Sequence, residues 1–185
     1  MLQNFEKIRV RTTYLEMGKP PLENDVEARE EITLRRWENP DLQHYLDLYR
    51  EIGKRWGWCG RLIIDRSELA AILQNPQLEI YILRNEESEI GYAELDCTNP
   101  SAIEIIYLGL KLGFIGQGFG KSLLQITLRQ AWRHHPERVW LHTCEFDHNS
   151  ALKNYLNAGF VICDTKSELE YYPKDFLQPK WILWN

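Results

Sequence analysis

The sequence predicts one domain of mixed α/β or α+β architecture, built around a single sheet. Three observations support this fold class. The length of 185 residues fits one domain, patterns typical of strands alternate with patterns typical of helices, and no repeat or low-complexity tract interrupts them. Hydrophobic residues make up 44% and charged residues 26% of the chain, as in soluble proteins, which excludes disordered and fibrous classes.

Charge and composition narrow the functional classes. The chain has 22 Lys and Arg against 27 Asp and Glu, a net charge of −5, so it lacks the basic face that nucleic acid requires. No stretch approaches the ~20 apolar residues that span a membrane, and residues 1–8 lack the apolar core of a signal peptide. We therefore expect a cytoplasmic protein without nucleic-acid or membrane partners.

The cysteines and a histidine pair predict no metal site. His134 and His135 come at the end of a predicted helix, where they favour the helix dipole. The four cysteines form no Cys-x-x-Cys pair, so we expect free thiols. They are Cys59, Cys97, Cys144 and Cys163.

Four stretches in the first half of the chain have the hydrophobic pattern of strands. The predicted strands are 8–15, 32–37, 78–83 and 90–96. The last two form a hairpin because a polar turn, residues 85–88, joins them. Pro20 and Pro21 prevent a helix in the linker-like segment 18–30, between the first two strands.

Two helices are predicted between the second and third strands. Pro40 suits the first position of a helix that runs to Ile52. Asp65 can cap a second helix, with Glu68 completing a capping box, and Pro76 ends it.

The second half alternates strands with helices. Its predicted strands are 103–110, 139–143, 160–163, 169–172 and 181–184, and its predicted helices are 121–132 and 150–157. Along the chain, two helices are thus followed by β-β-β-α-β-α-β, which is typical of a mixed sheet in one domain.

A glycine-rich bend, residues 113–122, connects the strand 103–110 to the helix 121–132. Gly116, Gly118 and Gly120 occupy alternate positions, so successive backbone N–H groups can converge on one point. The helix N-terminus adds partial positive charge there. The bend therefore predicts a phosphate site that needs no basic side chain.

Three other interpretations of the bend fit less well. A Walker A loop has four residues between its first glycine and Gly-Lys-Ser, and a loop starting at Gly116 is one residue too short. A dinucleotide fingerprint has the spacing Gly-x-Gly-x-x-Gly, whereas this bend has Gly-x-Gly-x-Gly. A turn that binds nothing would not need three alternating glycines, since each costs conformational entropy on folding.

The third candidate ligand is the pyrophosphate of coenzyme A. Residues 108–124 join a hydrophobic strand to a glycine-rich helix start, and they resemble motif A of the GNAT N-acetyltransferases, Arg/Gln-x-x-Gly-x-Gly/Ala. Gly118 and Gly120 match the glycines of the motif. Ile115 stands where Arg or Gln is usual, and main-chain contacts make that replacement tolerable.

A second segment, residues 148–160, is similar to GNAT motif B, Asn-x-x-Ala-x-x-x-Tyr-x-x-x-Gly-Phe. Four positions match in register: Ala151, Tyr155, Gly159 and Phe160. His148 replaces the usual Asn. The two motifs follow in the family's order and, with the strands around them, cover residues 78–165.

The resemblance implies a single GNAT-like acetyltransferase domain over residues 1–185, with motif A at about 103–132 and motif B at about 139–160. Its mixed sheet would be splayed between the strands 103–110 and 139–143, with helices on both faces. Acetyl-CoA would be the cofactor, and a primary amine of a small molecule or of an exposed protein site would be the acceptor. The segment around Trp140 is similar to an uncharacterised bacterial branch, and a homodimer is possible.

The resemblance also implies which residues bind the cofactor. They are Leu108, Gly109, Leu110, Ile115, Gly116, Gln117, Gly118, Phe119, Gly120, Lys121, His148 and Asn149. The pantetheine arm would lie in the gap between the two splayed strands.

Two catalytic residues are implied. Tyr155 matches the family tyrosine that hydrogen-bonds the thiolate leaving group and can protonate it; the alternative is a tyrosine packed in the core. Glu104 lies where histone-type members of the family place a base, and burial there would raise its pKa; the alternative is an exposed glutamate at a strand edge. Glu94 is a weaker candidate that would act through water.

The acceptor site is expected between the first helical region and the late strands. The candidates are Trp56, Trp58, Arg61, Tyr107, Tyr171 and Tyr172. The aromatic rings would suit a hydrophobic or cationic amine, whereas Arg61 would suit a carboxylate. Two other functions stay open: a non-catalytic acyl-CoA-binding module, which the replacements Ile115 and His148 favour, and a P-loop phosphotransferase.

Overall fold

A computed structural model describes residues 2–21, 31–86 and 88–177. The strands in this part of the chain are β1 (Phe5–Met17), β2 (Ile32–Arg36), β3 (Leu78–Asn85), β4 (Ser88–Asp96), β5 (Ala102–Leu110), β6 (Arg138–Cys144) and β7 (Val161–Pro173). The helices are α1 (Leu42–Gly53), α2 (Gly60–Ile63), α3 (Arg66–Leu73), α4 (Phe119–Trp132) and α5 (Ala151–Asn157).

The seven strands form one mixed sheet in the order β2-β3-β4-β5-β6-β1-β7. Strands β5 and β6 are parallel, and the other neighbouring pairs are antiparallel. The crossover between β5 and β6 contains α4, as a parallel connection requires. The predicted mixed sheet is confirmed.

Helices cover both faces of the sheet, as predicted. Successive side chains of a strand point to opposite faces. In β3, Ile80 and Ile82 pack with α1 and α3 in one buried cluster. Leu83 points to the opposite face and packs with Leu123 of α4 in another buried cluster. The sheet is therefore a layer between α1 and α3 on one side and α4 on the other.

The predicted splay lies between β5 and β6. These strands are paired only from Ala102 opposite Arg138 to Ile105 opposite Leu141. Strand β5 then continues to Leu110, and β6 to Cys144, without pairing to each other. A shift in the β4–β5 register leaves one extra residue in β5 at this point, which is the usual effect of a β-bulge on strand direction.

The first strand of the chain lies next to the last described one. Strand β1 pairs with β6 from Thr12 to Met17 and with β7 from Phe5 to Glu16. The predicted strands 160–163 and 169–172 are therefore one strand, β7. Residues 161–167 are exposed, so main-chain pairing with β1 rather than apolar burial holds them, and the hydrophobic pattern could not reveal it.

Other local predictions are confirmed with small shifts. Helix α1 begins at Leu42 after Asp41, whose carboxylate accepts a hydrogen bond from the N–H of His44. Asp65 caps α3 through the N–H of Ser67. The short helix α2 was not predicted, since one turn has no hydrophobic period to detect. The predicted strand 181–184 lies outside the described residues.

Candidate active site

A cavity of about 680 Å³ lies where β5 and β6 separate. Residues 105–110 of β5 form one wall, and Leu141, His142 and Cys144 of β6 form the opposite one. The glycine-rich bend, α5, the start of α2 and the end of β7 complete the boundary. The cavity therefore joins the two predicted motifs to the predicted acceptor region.

The glycine-rich bend presents main chain to this cavity. Gly116 has φ +83° and Gly118 has φ +87°, in the left-handed region that favours glycine. Gly118 precedes α4, and no side chain caps the helix there. The N–H groups of Lys121 and Ser122 bond to the carbonyl of Gly118, whereas the earlier N–H groups of a first helical turn lack acceptors within the helix, and the dipole makes this end positive. A Cβ at Gly116 would meet no atom within 4 Å, so the bend has room for a phosphate group.

The predicted cofactor-binding residues divide into two sets. Those that line the cavity are Leu108, Gly109, Leu110, Ile115, Gly116, Gly118, Gly120, Lys121 and His148. Gln117, Phe119 and Asn149 lie outside its wall. The side-chain amide of Gln117 donates a hydrogen bond to the carbonyl of Gly113 at 2.7 Å, and the buried ring of Phe119 packs against Phe114. Cofactor binding by these three stays a prediction.

His148 is fixed at the start of α5. Its Nδ1 accepts a hydrogen bond from the N–H of Ser150 at 3.1 Å and lies 2.7 Å from the hydroxyl of the same residue. Its ring meets the edge of Trp56, with 5.4 Å between ring centroids. The replacement of Asn by His therefore keeps a hydrogen-bond acceptor at this end of the helix.

Tyr155 extends from α5 to the cavity wall on the α4 side of the sheet. Its ring packs against Phe160, and its hydroxyl bonds to none of the described residues. Burial, and then the charge of Asp147, raise the pKa of Tyr155 above its ordinary value. The hydroxyl is therefore protonated at neutral pH and can donate a hydrogen bond into the cavity.

Glu104 reaches the cavity only through a neighbour. Its Oε1 lies 3.5 Å from Nδ1 of His142. Among the described residues, His142 lines the cavity and Glu104 does not. The hydrogen bond to Glu104 raises the pKa of His142, and partial burial opposes that rise without cancelling it.

Glu94 and Arg61 form a buried ion pair. Arg61 Nη2 donates to Oε2 of Glu94 at 2.8 Å, and the hydroxyl of Tyr45 donates to Oε1. The Glu94 side chain is fully buried and that of Arg61 is 12% exposed. Burial acts to lower the pKa of Arg61, but Glu94, Tyr45 and Tyr107 together outweigh burial and raise this pKa. Neither residue lines the cavity, so the pair is structural.

Aromatic rings form the side of the cavity where the acceptor site is predicted. The predicted residues that line it are Trp56, Trp58, Tyr107, Tyr171 and Tyr172. The Trp58 ring packs against Tyr107 with 5.1 Å between centroids and fills the space above Gly53, where an added Cβ would lie 2.6 Å from it. Trp58 is thus part of the scaffold as well as the wall.

Sequence reasoning missed several residues of this wall, among them Tyr49, His142, Asp147 and Glu170. Tyr49 belongs to the apolar face of α1, so a core role was the natural interpretation. The position of His142 in the wall could have been predicted from the strand pattern. Leu141 is buried, and strand alternation therefore places His142 on the opposite face from α4. Asp147 comes from the loop after β6 and Glu170 from β7. The positions of this loop and of β7 depend on tertiary packing.

A second group of polar side chains lies away from this cavity. His134 Nε2 is 3.3 Å from Oε2 of Glu79 and 3.7 Å from Sγ of Cys97. Arg36 Nη1 lies 2.7 Å from Oε1 of the same glutamate. Because Arg36 already neutralises this carboxylate, we interpret the group as an ion-pair cluster rather than a metal site.

The chain belongs to the GNAT acetyltransferase family. The family model described as "Acetyltransferase (GNAT) family" matches residues 24–160. The chain thus carries an acetyltransferase domain of the type that the two motifs resemble.

Solved structures show the same fold at low identity. A GCN5-related N-acetyltransferase from Sphaerobacter thermophilus is 17% identical with a TM-score of 0.65, over 92% of this chain and 53% of that one. A conserved protein of unknown function from Staphylococcus epidermidis is 17% identical with a TM-score of 0.60, over 91% and 63%. This chain therefore spans less than two thirds of the length of either protein.

A shorter relative is covered more fully. An aminoglycoside acetyltransferase from an uncultured soil metagenomic sample is 20% identical with a TM-score of 0.57, over 72% of this chain and 90% of that one. No curated protein sequence matches this chain. In the described residues, every helix is too short or too polar to cross a membrane.

Proposed function

We propose that the protein transfers an acetyl group from acetyl-CoA to a primary amine, of a small molecule or of an exposed protein site, by direct attack of the amine. One observation carries the proposal. A single cavity connects the glycine-rich bend, Tyr155 and a wall of aromatic side chains through the gap between β5 and β6.

The cofactor side of the cavity suits a long, anionic thioester. Gly116, Gly118 and Gly120 would hold the diphosphate by main-chain N–H groups. Leu108 to Leu110 pair with β4 on one edge, and their other edge faces the gap, where polar main-chain groups are available to an amide-containing arm. When bound, acetyl-CoA supplies an acetyl thioester that an amine can attack.

Tyr155 is proposed to stabilise the leaving thiolate. Its raised pKa keeps the proton on the hydroxyl, and a hydrogen bond from a preorganised donor in a dry cleft stabilises developing negative charge strongly. Full transfer of this proton to sulfur would be uphill for the same reason. Its main contribution is therefore the hydrogen bond, and solvent can complete the protonation.

The acceptor side favours an amine that carries positive charge and an apolar body. Aromatic faces attract cations, and the carboxylates Glu170 and Asp147 lie on the same wall. Recognition of a substrate carboxylate by Arg61 loses support because Glu94 already binds its guanidinium. An aminoglycoside, the class named for the metagenomic relative, is one such cationic amine.

Two measurements test the proposal. Isothermal titration with acetyl-CoA should show binding, and thiol release should be observed with one or more amines in a panel of aminoglycosides, polyamines, arylalkylamines and lysine peptides. Binding without turnover on the whole panel would favour the acyl-CoA-binding module. A thermal shift with ATP and Mg²⁺, and none with coenzyme A, would replace the proposal with a phosphotransferase.

A further inference from the structure

We propose that His142 is the base that takes the proton of the acceptor amine and that Glu104 is its positioning residue. This inference rests on the proposed acetyl transfer and assigns a residue that is not among the matched positions of either motif. Glu104, expected from the sequence to be the base that contacts the amine, becomes a residue that acts through the imidazole of His142.

The sheet places His142 at the point where the cavity opens. Ile105 and Leu141 form the last paired positions of β5 and β6, and His142 is the next residue of β6. Its side chain is 39% exposed, so its proton can exchange with solvent after each turnover. A base at this position would meet an amine as it enters the gap.

Strand alternation puts the pair on the acceptor side of the sheet. Ile103, Ile105 and Leu141 pack in the cluster under α4, so Glu104 and His142 point to the other face. Tyr155 packs against the α4-side cluster. The proposed base and the proposed donor therefore line one cavity from opposite faces of the sheet.

The contact with Glu104 favours one tautomer of His142. With Nδ1 directed to Oε1 of Glu104 at 3.5 Å, the Nδ1–H tautomer leaves the lone pair on Nε2. The distance is long for a hydrogen bond, as is common for catalytic contacts before substrate binds. As the amine bonds to the acetyl carbon and the carbon–sulfur bond breaks, one proton moves from the amine nitrogen to Nε2. The thiolate keeps the hydrogen bond from Tyr155 and takes one proton from solvent, while Nε2 later returns its proton to solvent, so charge and protons balance.

The electrostatic surroundings suit this task. Glu104 from β5, Glu170 from β7 and Asp147 from the loop after β6 act on His142, and all three raise its pKa. The ring of Tyr14, on β1, lies 5.7 Å from the imidazole, and burial and Glu168 keep that tyrosine neutral by raising its pKa. A pKa raised from 6.5 brings the base closer to a neutral working pH.

Other carboxylates near the cavity are already engaged. Both oxygens of Glu94 accept hydrogen bonds, from Tyr45 and Arg61. Asp147 Oδ2 accepts from the hydroxyl of Thr143 and from the N–H of Cys144. An imidazole with one free nitrogen is better placed to accept a proton than either carboxylate.

The first experiment compares two histidine variants in the full chain, with an amine found in the turnover screen. His142→Gln should lower kcat by about 10²–10³-fold and change the Kd of acetyl-CoA by less than about twofold. The matched control is His44→Gln. His44 is also exposed and also paired to a glutamate, Glu89, at 2.9 Å, but it lies outside the cavity wall, so its loss should leave kcat unchanged.

The second experiment separates positioning from structure. Proton NMR of the protein without ligands should give a pKa for His142 above 6.5, and Glu104→Gln should lower it. The rise of kcat/KM with pH reports the deprotonated base, so its inflection should move to lower pH in that variant by the same amount. A merely structural effect of Glu104 would not move the inflection.

Three results would overturn the proposal. Full kcat in His142→Gln, with turnover lost in Glu104→Gln, would make the glutamate the base. An inflection that ignores Glu104→Gln would remove the positioning role. No turnover by the unmodified protein on any amine would overturn this inference together with the proposed function, whereas the first two results leave acetyl transfer intact.

Discussion

The two halves of the cavity differ in what forms their walls: main chain in one half and large side chains in the other. In the half proposed to bind the cofactor, here called the cofactor half, glycines with positive φ contribute main chain to the wall. In the acceptor half, the wall consists of large side chains from α1, α2, β5, β6 and β7 and the segments beside them. One half depends on local backbone conformation, and the other depends on how distant elements pack.

This difference predicts different responses to substitution. The cofactor half should tolerate new side chains wherever the main chain keeps its conformation, which is consistent with Ile115 and His148 in the two motifs. The acceptor half shares its residues with the core: Trp58 and Tyr107 both pack against the α1 cluster. Changes there should alter stability and specificity together.

The largest effect is expected in the cofactor half, from Gly118→Val. A branched residue at φ +87° is strained by about 1–2 kcal/mol, and its side chain would enter the space for the diphosphate. We expect a loss of acetyl-CoA affinity of roughly 10³-fold or more, about 4 kcal/mol, measured by isothermal titration. Gly113→Ala is the control, because an added Cβ there meets nothing within 4 Å. Normal affinity in Gly118→Val would place the diphosphate elsewhere.

The second largest effect is expected on stability, from the buried ion pair beside the acceptor half. Arg61→Met leaves the carboxylate of Glu94 buried without its cation, and breaking such a pair typically costs about 3–5 kcal/mol. The exposed pair of Arg138 with Glu16, at 2.6 Å, gives the matched control, since Arg138→Met should cost less than about 1 kcal/mol. Urea unfolding measures both. Equal losses would mean that burial does not distinguish the two pairs.

The same division explains what the sequence could predict. The bend 113–122 and Tyr155, which contribute to the cavity wall, could be singled out because each lies in a short local pattern. The pairing of Arg61 with Glu94 was not, because the partners are 33 positions apart and meet only when α2 packs on β4. The sequence did not predict residues 161–173 as one strand, because main-chain pairing with β1, and not a hydrophobic pattern, makes them a strand.

A smaller kinetic effect is expected for Tyr155→Phe. The variant removes one hydroxyl donor from the cavity and keeps the ring that packs against Phe160. We expect kcat to fall by about 10²–10³-fold, with the Kd of acetyl-CoA unchanged because the cofactor half is built from main chain. Single-turnover kinetics should be used, so that slow product release does not hide the change. An unaltered chemical step would exclude Tyr155 from the mechanism.

The smallest effect tests whether the halves act independently at their point of contact. Trp56 lines the acceptor side, yet its ring meets His148 of the cofactor side at 5.4 Å. An aromatic contact contributes about 0.5–1.5 kcal/mol, so Trp56→Ala should raise the KM of the amine by up to about tenfold. If the halves are independent, the Kd of acetyl-CoA stays constant, which titration of the variant measures.

Trp37→Ala controls for the general loss of a tryptophan, because the ring of Trp37 packs on His44 away from the cavity. A parallel rise in the acetyl-CoA Kd would show that His148 needs Trp56 to hold its position, and the two halves would then be coupled through this pair.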